Sequence, residues 1–110
     1  MTRVLKEYRM KFEQVPSGEK AVNPEALGLR SKLGGKPDWD QANETPVCSC
    51  CHEEMAFVGQ IDSFEHDSKE NPNRVGCLSD EQEYMFGDVG LIYVFFCFEC
   101  CESQNLFQCG

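Results

Sequence analysis

Past residue 37 this chain is nearly without positive charge. Lys69 and Arg74 stand there against fifteen acids, whereas residues 1–37 carry eight of the ten Lys and Arg with only four acids. Phosphate backbones are repelled by such a surface, so general nucleic-acid binding is disfavoured and a basic protein is the better-matched partner. The same net charge of −9 also serves solubility. Long apolar runs are missing too. The longest, Leu91 to Phe98, suits a buried strand and falls short of the ~18 residues that would suggest a membrane span. The opening Met1-Thr-Arg-Val-Leu-Lys-Glu-Tyr8 places charges where a secretory signal needs an apolar stretch. Histidine is scarce: His52 and His66 cannot reasonably supply a Ser-His-Asp or Cys-His-Asn set, and Gly34-Gly35 alone makes no phosphate-binding loop. From these absences we expect no catalytic residue, a non-enzymatic protein, no membrane, and a cytoplasmic location.

What the chain has in abundance is cysteine, eight in 110 residues. Four fall into two Cys-x-x-Cys pairs, Cys48/Cys51 and Cys97/Cys100. In such a turn both sulfurs point the same way and backbone N–H groups can donate to them. Two turns facing each other complete a tetrahedron around one structural Zn²⁺, with metal–sulfur bonds near ~2.3 Å and a centre carrying roughly −2. In a reducing compartment paired cysteines read as metal ligands; the even count keeps a disulfide framework open if the chain is exported. Cys50, Cys101 or His52 are the candidate substitute ligands, and Cys50, Cys77, Cys101 and Cys109 have no partner at the two-residue spacing. Iron–sulfur ligation is chemically open, but the spacing fits no familiar cluster pattern. Redox work of the thioredoxin type needs a helix after the pair, and Cys101-Glu-Ser-Gln-Asn105 leads toward a strand instead.

The period-two pattern of Tyr8, Met10 and Phe12 predicts a half-buried strand. Asn23-Pro24-Glu25 predicts a short helical turn that Gly28 keeps brief. Leu33-Gly-Gly-Lys-Pro37 is a sharp break, and Asp38 to Pro46 an extended linker. A strand is expected around Met55, Phe57, Gly59 and Ile61, a solvated loop over 62–76, and a short helix from the Ser79/Gln82 capping box. Leu91 to Phe98 is expected to be the central strand, with a last strand over Asn105 to Cys109 after a turn from Glu99 to Gln104. The architecture expected is mainly β with little α: a single domain over 1–110, built on zinc-ribbon-like knuckles with antiparallel strands. Residues 1–46 bring the first strand and the Gly-Gly-x-Pro-x-Trp segment, and 47–110 form the cysteine-rich module. A core drawn mostly from the second half is thin, and a metal staple offsets that.

The segments Ser31-Lys-Leu-Gly-Gly-Lys-Pro-Asp-Trp39, Cys48-x-x-Cys51, Met55-Ala-Phe-Val-Gly-Gln-Ile-Asp62 and Gly90-Leu-Ile-Tyr-Val-Phe-Phe-Cys97 together resemble the bacterial YwqG-like family. They are also similar to part of eukaryotic programmed cell death protein 2 and its relatives. The likeness spans roughly residues 29 to 109. It implies protein-binding roles without catalysis: chaperoning of a ribosomal protein in the eukaryotic relatives, antidote-like binding in toxin-and-immunity neighbourhoods for some bacterial ones. Trp39 is expected either as a core clasp or, with Asp38 and Asp40, as part of a partner-binding groove. Gln60 is expected to hydrogen-bond the Gly-Gly loop. The function expected is a zinc-stabilised protein-interaction module for a basic partner. A nucleic-acid-binding zinc ribbon, using Arg3, Lys6, Arg9 and Lys11, is the alternative, and a thiol redox enzyme the third reading.

Overall fold

A strand apolar at every position needs neighbours on both edges and cover on both faces, and the run from Leu91 has both neighbours. The computed structural model describes residues 7–14, 30–63 and 90–109. Among them, β1 (Lys32–Leu33), β2 (Ala56–Asp62), β3 (Gly90–Cys97) and β4 (Glu102–Cys109) form one antiparallel sheet in chain order, with β3 between β2 and β4. The fold is thus mainly β on two cysteine knuckles, with no helix among the described residues. The expected helical starts near Asn23 and Ser79, and nearly all of the 62–76 loop, lie outside them.

Residues directly opposite across an antiparallel pair share a face. Leu91, Tyr93, Phe95 and Cys97 of β3 therefore stand with Phe57, Gln60 and Asp62 of β2 and with Leu106 and Gln108 of β4. This corrects the expected alternation in β2. The register passes from Phe57↔Phe95 straight to Gly59↔Val94, so Val58 is an extra residue. One inserted residue reverses every side chain that follows. Gln60 and Asp62 are consequently buried, and Ile61 is left 42% exposed.

Two further expectations are corrected. β4 starts at Glu102 rather than Asn105, because every residue from Cys97↔Glu102 to Gly90↔Cys109 finds a partner on β3. Residues 7–14 carry no strand, and Tyr8, Met10 and Phe12 are 57–75% exposed. Alternation makes a strand only where a sheet edge accepts its hydrogen bonds. Among the described residues, that edge of β2 pairs with β1.

One face of the sheet is covered by the chain that follows β1. Gly34 and Gly35 both adopt φ +75°, a conformation open to glycine, and so reverse the chain. The Gly34 N–H donates to the carbonyl of the bulged Val58 at 2.6 Å. Close approach of β1 to β2 requires Gly59, where a Cβ would lie 2.6 Å from the Lys32 carbonyl oxygen. Residues 34–46 then cross the face as a strap. Trp39 lands on Tyr93 (4.8 Å between ring centroids) and stacks on Phe95 (5.8 Å). The core beneath is Cys48, Met55, Leu91, Tyr93, Phe95 and Cys97, with Trp39, Cys51, Phe57, Cys100 and Leu106 packed against it.

Candidate metal centre

Two short turns bring the sulfurs to the end of this core. The first knuckle is closed at its base by Met55 N–H to the Pro46 carbonyl (2.9 Å) and by Cys48 N–H to the Glu53 carbonyl (2.9 Å). The second is the connection from β3 to β4. Both close in the same way: the residue after the second ligand cysteine donates its N–H to the carbonyl of the first, His52 to Cys48 at 2.9 Å and Cys101 to Cys97 at 2.8 Å. Both of those residues are left-handed, with φ +61° and +56°. That conformation costs a non-glycine residue about 1–2 kcal/mol, so each turn stores strain that its closed geometry must offset.

The result is a group of four sulfurs, from Cys48, Cys51, Cys97 and Cys100, all within 4.8 Å of one another. The Cys51 and Cys97 sulfurs are 3.6 Å apart. A tetrahedral zinc with ~2.3 Å bonds has sulfurs ~3.8 Å apart, so the donor set fits in kind, number and spacing. These residues can hold a metal ion. Such an ion would tie the two knuckles together as a structural centre. Cys48 and Cys97 are buried, while Cys51 and Cys100 are half-buried against the core.

Electrostatics in the group are uneven. The Cys97 thiol is pulled below its ordinary range chiefly by the Cys100 N–H; burial opposes this, and the Glu99 N–H and the Cys51 and Cys48 thiols assist. At Cys51 the Glu53 N–H favours the thiolate, but burial and the sulfurs of Cys97 and Cys48 outweigh it and push the thiol up. Cys100 is pushed well above its ordinary range, first by a hydrogen bond with the Cys50 thiol, then by burial and the three other sulfurs. Sulfurs packed this closely cannot all carry negative charge unless a cation sits among them. Glu102, unforeseen in the sequence, reaches back from β4 so that its Oε2 accepts from Ser49 Oγ (3.4 Å) and the Cys48 thiol (3.6 Å).

The candidate substitutes stand elsewhere. His52, Cys50 and Cys101 are exposed and outside the four-sulfur group, and Cys109 closes the far end of β4. Cys77 and His66 lie outside the described residues. Trp39, Asp38 and Asp40 are engaged within the fold. Asp38 pairs with Lys32 (2.9 Å) and with Gln60; the Asp40 N–H reaches the Tyr93 hydroxyl (2.9 Å) and Gln108 Oε1 (3.1 Å). Gln60 does not bond the Gly-Gly loop itself but grips its two flanks, donating to the Arg30 carbonyl (2.7 Å) and accepting from the Asp38 N–H (3.0 Å). Gln108 binds the strap by accepting from Asp40 and Gln41 and donating to Ala42 and Glu44. Below them Arg30 meets the fully buried Asp62 at 2.7 Å. Arg30, Asp62, Tyr93 and Gln108 escaped the sequence reading. For Asp62 and Tyr93 the signal was a polar group within a largely apolar strand; Arg30 precedes β1 and Gln108 lies on the mostly polar β4, so neither stood out.

No family model matches the chain, and no solved structure matches it. Among curated proteins, an uncharacterised protein of Salmonella typhimurium strain LT2, YpfL, is 31% identical over 78 residues. The matched stretch is 71% of this chain but only 15% of that protein, so the chain spans a small part of the relative. Among the described residues no helix is long and apolar enough to cross a membrane.

Proposed function

We propose that this chain is a non-enzymatic protein-interaction module of the YwqG-like kind, stapled by one structural zinc and directed at a basic partner protein. The observation that carries the reading is the four-sulfur group. Four soft donors converge within 4.8 Å with two of them buried, which leaves a bound zinc no open position for substrate. The knuckles are also the acidic end of the described surface. Glu53, Glu54, Glu99 and Glu102 are exposed there, and neither knuckle contains a Lys or Arg. A zinc tetrathiolate adds roughly two further negative charges. Basic surfaces are drawn to such a field, and phosphate backbones are repelled.

Native mass spectrometry of protein purified without chelator tests the staple. One Zn²⁺ per chain, lost in acid and absent from both Cys48→Ser and Cys97→Ser, is the expected result; metal-free chains with paired disulfides overturn it. Capture at low and at raised salt then tests the partner class. Basic proteins released by salt are expected. Retention of nucleic acid instead, or capture indifferent to charge reversal at Glu53, Glu54, Glu99 and Glu102, overturns that part.

A further inference from the structure

An exposed sheet edge is open to a further strand unless shortness, lysine, proline or a bulge blunts it. The two outer strands of this sheet differ in that respect. β1 is two residues long and carries Lys32. β4 is eight residues long, holds neither Lys nor Pro, and pairs with β3 position for position without a register shift. Among the described residues no strand pairs with its other side, where the Gln41 side chain reaches only the Cys109 carbonyl at the far end. Glu102, Ser103, Gln104, Asn105 and Phe107 are exposed along it. We propose that the β4 edge takes an extended segment of the basic partner as a further antiparallel strand, with a Lys or Arg toward the knuckles and an apolar residue beside Phe107. This rests on the basic-partner reading above and adds where, and in what conformation, that partner binds.

Charge and register choose the occupant. In strand addition the main chain supplies affinity and alternate side chains supply specificity. The only charge on β4 is Glu102, at the knuckle end, where Glu53, Glu54 and Glu99 are exposed as well. No Lys or Arg follows Arg74 in the chain. That end of the edge favours a cation. A second copy of this chain brings its own net charge of −9 and is repelled. At the other end, Phe107 lies opposite Ile92, and Ile92 opposite Ile61, in one uncharged row across the sheet. Ile61 and Phe107 are 42% and 48% exposed. An apolar side chain on the added strand extends that row. Phe107 and Glu102 stand on opposite faces, because Phe107 faces Ile92 and Glu102 faces Cys97. In an antiparallel segment the apolar residue therefore comes first, and the basic one follows five positions later on the other face.

The probe is a fluorescent peptide of alternating valine and threonine that ends in two lysines. One control ends in two glutamates. Two further versions of the lysine peptide carry N-methyl groups on alternate residues, one version for each set, so that each lacks the N–H donors of one edge. Binding to the full chain is followed by fluorescence anisotropy, and β4 amides by hydrogen exchange with and without peptide. The lysine peptide is expected to bind at least roughly tenfold more tightly than the glutamate peptide at low salt. One N-methylated version should lose roughly tenfold or more and the other little, because only one edge of the peptide faces β4. Alternate amides between Glu102 and Phe107 should gain protection. Three results overturn this proposal alone: two N-methylated versions that bind like the parent, protection confined to the knuckles, or no binding of either peptide. Alternate β4 amides already protected in the free chain also overturn it; dilution then tells a second copy from the chain's own cover. Equal binding of the lysine and glutamate peptides with β4 protected by both overturns the basic-partner reading together with this proposal.

Discussion

The sheet is closed at its two ends by opposite means. At the knuckle end, four sulfurs from two turns converge, and one ion can satisfy them all. At the strap end, Gln60, Gln108, Tyr93 and the Arg30–Asp62 pair fasten residues 30–44 through many directional bonds spread over several residues. With an ion bound, the first closure would depend on a single external component and on thiols that must be deprotonated. The second is distributed and internal. Small domains with thin cores need such fastenings because burial alone leaves little margin. This chain places the ion-dependent kind where its surface is acidic and two further thiols, Cys50 and Cys101, are exposed.

The largest predicted effect breaks the comparison at the metal. Apparent zinc binding to structural sites of this type is about 10–16 kcal/mol. Chelation, or Cys97→Ser, should abolish protection of the His52 and Cys101 amides in hydrogen exchange and sharply lower the melting temperature. Acid should act in the same direction, because falling pH returns protons to ligands that must be thiolates. Protection that survives chelation would mean the knuckle hydrogen bonds hold by themselves.

The next effect tests the strap end alone. Asp62→Ala leaves the Arg30 guanidinium, whose side chain is 10% exposed, without its carboxylate. Removing one member of a buried ion pair costs about 3–5 kcal/mol. Denaturant unfolding should show that loss while zinc content stays at the wild-type value. Loss of zinc as well would mean that the two ends fold as one unit.

The smallest effect concerns Tyr93, whose hydroxyl donates to the Asp38 carbonyl at 2.8 Å and accepts from the Asp40 N–H. Tyr93→Phe takes that donor from the Asp38 carbonyl, while the Asp40 N–H keeps Gln108 Oε1, and should cost about 1–3 kcal/mol at neutral pH. Burial raises the Tyr93 phenol to about 12; the Asp40 N–H opposes this, and the charges of Asp40 and Asp38 reinforce it. An unfolded tyrosine ionises near ~10. Below that pH both states keep the proton and the contribution is intact. Between that value and about 12 the unfolded chain gives up its proton first, so stability falls as pH rises. Tyr93→Phe should lose less stability than wild type across that window, and parallel curves would count against it.

Cysteine spacing made the candidate ligands legible, because a Cys-x-x-Cys turn is local and its geometry travels with the sequence. β3 was legible as well, since eight successive positions that suit burial leave few places in a fold. The phase of β2 was not. A single extra residue at Val58 turned Ile61 outward and Gln60 and Asp62 inward, and nothing in Met55-Ala-Phe-Val-Gly-Gln-Ile-Asp62 marks which residue bulges. Tyr8, Met10 and Phe12 misled for the opposite reason: their alternation is clear, but no sheet edge takes them up among the described residues.

By itself, then, the sequence determined the chemistry available to this protein: two pairs of soft ligands, a central apolar strand, an acidic second half and a glycine pair able to reverse the chain. Those properties depend on residue type and short-range spacing. Tertiary structure decided which groups meet. It set Cys51 against Cys97 across two knuckles, Glu102 beside Ser49, and Asp62 beneath Arg30. Each of those meetings depends on the register of the strands between them, and register is fixed only when the whole sheet assembles.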